Sequence, residues 1–281
     1  MNPFFIKSEQ TPIINQYDDD FRANKFSYLN HYFWENGCGP SSVANAFISG
    51  LEVSDEQMAA AILHDVMHIM SLNPDRYTID VKRFPLLATE DSAILQICTA
   101  NGWNIIAFDK QLTEQDLSTT FSDTPIVILS KQIGNDYWSS AVRYIQYLYD
   151  QGYHDATIYL VRASTGTSSV SGPLAFGSAG HYVTFYMPVD EFIEQGSIYL
   201  LDSAASAIKD EPFGKSEYYK QQYPFVAQPY AHKVFLQTFE IERIHPNIVR
   251  FYLLNPDETD RLTAAKLFKL YGTTFWVIFI K

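Results

Sequence analysis

The apolar residues of this chain change period about a third of the way along, and that change decides the class of fold open to it. From Cys38 to about residue 100 they recur at three- and four-residue intervals. Val43, Ala44, Phe47 and Ile48 follow Pro40, which suits a first helical turn, and Gly50 is a plausible stop. Met58, Ala61, Ile62, Val66 and Ile69 follow Ser54-Asp55-Glu56 and predict a second helix; a third is predicted over Thr89–Ala100, ended by Asn101-Gly102. Beyond it, short apolar runs predict strands at Asn104–Phe108, Pro125–Leu129, Thr157–Val161, His181–Met187, Ser197–Asp202, Val234–Ile241, Val249–Leu254 and Thr274–Ile280. An aromatic-rich helix over Asp136–Gln151 and another near Asp257–Tyr271 interrupt them. Helices first and strands mostly afterwards point to an α+β fold.

Composition narrows the class further. With 281 residues, 47% of them hydrophobic and 19% charged, the chain can bury a sizeable core and is not disordered. The 15% aromatic content favours a β-rich or mixed architecture. A formal charge of −12 argues against nucleic-acid and anionic-membrane partners. No apolar run reaches the roughly 18 residues of a membrane span. The opening MNPFFIKSEQ lacks the pattern of a secretory signal, and Cys38 and Cys98 are too few for a disulfide scaffold. The expectation is a reducing compartment: a cytoplasm, or a host cytoplasm entered without a classical signal peptide. Residues 1–36 read as irregular, with Asp18, Asp19 and Asp20 in a solvated loop. Ala163–Gly180 carries no charge and 11 Ser, Thr or Gly among 18 residues, reading as a loop flanking a site or as a linker.

Cys38 stands immediately before a predicted helix start, where backbone N–H groups and the helix dipole stabilise a thiolate, the nucleophilic form. Gly39 would let a substrate carbonyl approach the backbone, and the Cys38 N–H could donate to an oxyanion. A small buried residue at a helix cap is the plainer reading of the same cysteine. A nucleophilic thiol needs a base, and the base an orienting group. Among seven histidines, His181 opens a strand after the uncharged stretch. If His181–Met187 and Ser197–Asp202 form a symmetric antiparallel hairpin around a loop through Asp190–Gln195, His181 faces Asp202 on one side of the sheet, with Cβ atoms about 5 Å apart. A slip of one residue would separate them onto opposite faces. Asp202 could instead cap the Ser203-Ala204-Ala205 turn.

The segments Asn36-Gly37-Cys38-Gly39-Pro40-Ser41-Ser42, Gly180-His181-Tyr182-Val183 and Leu200-Leu201-Asp202 resemble the papain-like cysteine peptidase superfamily. The resemblance is nearest to the branch of bacteriocin-processing peptidases and phytochelatin synthases, and to bacterial effector proteases and deamidases of that fold. His181 lies 143 residues after Cys38, within the family's spacing of about 130–150. The resemblance implies Cys38 as nucleophile, His181 as base and Asp202 as orienter. It implies one two-lobed catalytic domain over residues 1–281: a mainly helical lobe with Cys38 (1–155) packed on an antiparallel sheet lobe with His181 and Asp202 (156–281). It also implies a cysteine hydrolase acting through a thioester on an amide or isopeptide bond of a protein or peptide, with a ubiquitin-like substrate one candidate and no cofactor. A glutamine deamidase or transglutaminase of the same fold, or a non-catalytic protein-binding module, are the alternatives. The chain departs from the family in one respect: the glutamine about six residues before the nucleophile, which completes the oxyanion hole, is replaced by Tyr32. Asn36, Asn30 and a displaced Gln16 are the candidates for its role.

Other signals read as structural. His64 and His68 share a helical face at a spacing that could share a metal, but Met67 and Met70 mark that helix as packing, and no metal is expected. Cys98 lies among Ile94, Leu95 and Ile97 and is expected in the core. His154, His232 and His245 lie near turns without a partner pattern, and Ser203 reads as a local hydrogen-bonder.

Overall fold

The computed structural model describes residues 2–4, 11–23, 26–28, 30–72, 81–84, 92–120, 123–134, 137–163, 181–205, 237–257 and 272–281. Its strands are β1 (Asn2–Phe4), β2 (Thr11–Ile13), β3 (Ser27–Tyr28), β4 (His31–Tyr32), β5 (Asn104–Phe108), β6 (Ile126–Gly134), β7 (Thr157–Ala163), β8 (Tyr182–Pro188), β9 (Ser197–Leu201), β10 (Phe239–His245), β11 (Ile248–Leu253) and β12 (Gly272–Ile280). Its helices are α1 (Asp19–Ala23), α2 (Phe33–Asn36), α3 (Cys38–Gly50), α4 (Glu56–Ser71), α5 (Ala93–Ala100), α6 (Glu114–Thr120), α7 (Tyr137–Asp150) and α8 (Val189–Gln195). The fold is mixed α+β. Most of the uncharged Ala163–Gly180 stretch, the start of the strand expected from Val234, the helix expected near Asp257–Tyr271, and His232 lie outside the described residues.

Eight strands form one sheet in the order β10-β11-β9-β8-β7-β12-β6-β5. The strands after residue 156 pair antiparallel throughout, and among the described residues the one parallel pair is β5 with β6, because the connection between them crosses over through α6. These two strands precede residue 155, so the first half of the chain contributes to the sheet as well as to the helical layer. Side-chain alternation divides the sheet into two apolar faces. Along β12, Phe275, Val277 and Phe279 join the cluster built on α3, α4 and α5. Trp276, Ile278 and Ile280 point the other way, into the cluster built on α6, α7 and α8. With both faces covered, β8 is buried nearly throughout and reads as a continuous apolar run.

The helices start where their caps say. Asp55 accepts from the Met58 N–H at 2.7 Å to open α4, and Ser92 caps α5. Two expectations change. The acidic cluster at residues 18–20 opens the short helix α1, where Asp19 and Asp20 suit the positive end of the dipole. The segment between β8 and β9, expected as a loop, is α8. Val189 and Phe192 bury its inner face, and Gly196 closes it with φ 64°, a left-handed conformation that glycine adopts without strain.

Candidate active site

Cys38 is the first residue of α3, a helix buried along its whole length. Small polar residues on this apolar helix do the positioning. Ser42 donates to the Tyr182 carbonyl at 3.1 Å, and Thr184 donates back to the Ser42 carbonyl at 2.9 Å, fastening the start of α3 to β8. Asn45 accepts from the Ile14 N–H at 2.8 Å and donates to the Ile14 carbonyl at 3.0 Å, holding residues 14–16 alongside the same helix. Ser49 shares a 2.7 Å hydrogen bond with the Tyr159 hydroxyl one turn further on. Positions 38, 42, 45 and 49 follow helical spacing, so one helix carries the thiol and locks it to its surroundings.

The two strands carrying the other groups are antiparallel neighbours, as expected, but the ladder is displaced by two residues: Thr184 pairs with Leu201 and Tyr186 with Tyr199. The insertion of α8 sets this offset. A shift of two preserves the face because the side-chain period is two, so His181 and Asp202 still meet. His181 Nε2 lies 2.9 Å from Asp202 Oδ1. That leaves Nδ1 for the Cys38 thiol, with which the ring also hydrogen-bonds. Asp202 Oδ1 accepts a second bond, from the Ala204 N–H at 2.9 Å, so the carboxylate both orients the imidazole and caps its own turn. The side chains of His181 and Asp202 are 14% and 3% exposed, and Cys38 is buried. Burial favours the neutral imidazole, but the Asp202 charge, its hydrogen bond and the Cys38 contact outweigh it and push the His181 pKa up to about 10.

The three oxyanion candidates are separated by their surroundings. Asn30 is exposed at a turn with φ 64°, and Asn36 is exposed at the end of α2. Tyr32, six residues before Cys38, is 41% exposed and stacks on Trp34 with ring centroids 4.2 Å apart. Gln16 is buried. Its Oε1 accepts from the Ser203 hydroxyl at 2.9 Å, and its Nε2 donates to the Trp34 carbonyl at 3.1 Å, four residues before Cys38. Its backbone N–H donates to the Ser203 carbonyl at 3.1 Å. Asp202 therefore holds His181 while the next residue, Ser203, holds Gln16.

Sequence reading missed Tyr17 and Tyr28. Burial first, then the electrostatic influence of Asp202 and Cys38, holds the Tyr17 phenol above its ordinary range; burial and then Cys38 do the same for Tyr28. Both hydroxyls therefore sit in the field of the site. Their signal is the aromatic content of residues 1–36, a segment whose sequence predicts only irregular structure. The space above Gly39, expected to admit a substrate carbonyl, is filled: a Cβ there would lie 2.9 Å from the Met70 methyl and 3.6 Å from the Tyr182 ring. That glycine serves the packing of α3 on α4 and β8.

The remaining candidates lie apart from this constellation. His64 packs edge-on against Phe26. Among the described residues no group of three or more His, Cys, Asp or Glu side chains is arranged to hold a metal, and no helix is long and apolar enough to cross a membrane. Cys98 is buried as expected, and burial pushes its thiol up to about 12. His154 pairs with Asp190 at 2.6 Å near the surface, and His245 accepts from the Asn247 N–H at 3.1 Å. Neither the protein-family models, nor the curated proteins, nor the solved structures compared with this chain match it.

Proposed function

We propose that this protein is a cysteine hydrolase of the papain-like kind, with Cys38, His181 and Asp202 as its triad. The observation that carries the reading is the convergence of three side chains, distant in sequence, in which one imidazole hydrogen-bonds Asp202 through Nε2 and Cys38 on its other side. This is the order nucleophile, base, orienter that acyl transfer requires. Cys38 reacts as the thiolate beside the His181 imidazolium. Its sulfur bonds to the carbonyl carbon of an amide or isopeptide, and the carbonyl oxygen takes up the negative charge. As the C–N bond breaks, His181 gives its proton to the leaving amine and a thioester remains. Water then attacks the thioester, returning a proton to His181, and the C–S bond breaks to release a carboxylic acid and the thiolate. Gln16 is the side chain we assign to the oxyanion: Ser203 holds its Oε1, one Nε2 hydrogen goes to the Trp34 carbonyl four residues before Cys38, and the second is left for substrate. The acidic chain suits a substrate with a basic surface, and a ubiquitin-like modifier is one candidate.

The test is the pH dependence of alkylation of Cys38 by iodoacetamide, with Cys98 as internal reference and His181→Ala alongside. Labelling of Cys38 well below pH 8, slowed in His181→Ala, is the expected result. Labelling no faster than that of Cys98 and indifferent to His181 would leave a non-catalytic binding module.

A further inference from the structure

Asp202 is the last residue before the sheet gives way to a turn, and the β9–β11 ladder continues one step past its last full pair to hold it. Ile248 pairs with Leu201, so the next pair is Asn247 with Asp202. In an antiparallel ladder, residues paired at such a step exchange two main-chain hydrogen bonds. Only one of the two is made in the ordinary way: the Asp202 N–H donates to the Asn247 carbonyl at 2.9 Å. The reciprocal donor, the Asn247 N–H, is turned away to His245 Nδ1 at 3.1 Å by the tight turn through Pro246. The Asn247 side chain replaces it, with Nδ2 donating to the Asp202 carbonyl at 2.8 Å. Asn247 is 1% exposed, and among the described residues its Oδ1 has no hydrogen-bond partner, so the amide is buried for the sake of its donor end.

We infer that Asn247 is a positioning residue of the site: its side-chain amide completes the ladder bond that fixes the Asp202 backbone, and through Asp202 it sets the His181 ring against Cys38. The inference rests on the triad reading above. Only a side chain with a donor at this length closes the gap. Alanine leaves the Asp202 carbonyl unpaired, and aspartate, of the same shape, turns an acceptor toward an acceptor. Once Asp202 is free to move, the imidazolium loses its fixed partner and the thiolate loses the imidazolium.

The experiment measures the pH profile of Cys38 alkylation in the unaltered protein, in Asn247→Asp and Asn247→Ala, and in Ile145→Ala, a destabilising change in the opposite apolar layer. In both Asn247 variants labelling at pH 6 should fall by about 10- to 100-fold, the scale of a misplaced reacting group. Ile145→Ala should lower the melting temperature and leave the profile in place. A profile unchanged by Asn247→Asp while Cys38 of the unaltered protein still labels fast would overturn this inference alone. Slow labelling of the unaltered protein would remove the triad reading and this inference together. Should neither Asn247 variant fold, amide hydrogen exchange in the unaltered protein decides. The Asp202 N–H should be protected as strongly as those of Ile198 and Leu200, and fast exchange there would overturn the inference.

Discussion

The two cysteines lie on helices of the same apolar layer, and both are buried, yet their surroundings differ in kind. Cys38 begins α3, with no residue of its own helix before it and an imidazole against its sulfur. Cys98 sits inside α5 within the apolar cluster, and burial alone pushes its thiol up to about 12. Burial by itself therefore silences a thiol. What distinguishes the first is a polar pair brought to it: His181 from just before β8 and Asp202 from just after β9.

The sharpest way to break this comparison is to measure both thiols in one molecule. At pH 6, on the mechanism proposed above, Cys38 should alkylate at least about 1000-fold faster than Cys98. Competitive labelling followed by peptide mass analysis reads the ratio, and near-equal rates would end the distinction. Replacing Gly50, at the far end of α3, separates the site from the helix that carries it. A Cβ there would overlap the Phe279 ring, so Gly50→Ala should cost about 1–3 kcal/mol in denaturant unfolding while the Cys38 profile holds.

The His181–Asp202 pair makes a pH signature that Cys98 cannot. His181 is held near 10 in the folded protein against an ordinary 6.5, so its contribution to stability is complete below about pH 6.5 and is lost as pH rises through 10. The stability difference between the unaltered protein and Asp202→Asn should shrink over that window, as followed by urea unfolding at several pH values. A difference that is flat, or that grows with pH, would contradict the pairing. The smallest effect belongs to Cys98→Ala, which should cost about 1 kcal/mol as a minor cavity and leave Cys38 labelling untouched.

Much of this arrangement could be read from residues alone, and the failures have physical causes. Helix α3 announced itself because Pro40 and the apolar spacing after it agree, and the meeting of Cys38, His181 and Asp202 could be read because each stands at the edge of an element. The strand ladder was displaced by two because Asp190–Gln195 is polar enough to pass for a loop. The spacing of Val189 and Phe192, with Gly196 behind them, was the helical signal. Gln16 stood level with Asn30 and Asn36 in sequence. Its partners Trp34 and Ser203 lie 18 and 187 residues away, and no local pattern encodes such contacts. Asn247 was invisible for the same reason. The two covered faces of the sheet were also hidden: Phe275 to Ile280 are apolar at every position, which says buried on both sides but not by which helices.

The place of β12 has a consequence for how the protein is made. It lies between β7 and β6, pairing with Leu160 through Trp276 on one side and with Ser130 through the same residue on the other. A ribosome translating at about 5–20 residues per second releases β6 and β7 several seconds before the strand that joins them. Until it arrives, the two halves of the sheet present open edges to one another and to other nascent chains. Docking of Trp276 is thus a late, long-range event, and its fluorescence marks the moment at which the half of the sheet bearing His181 and Asp202 joins the rest.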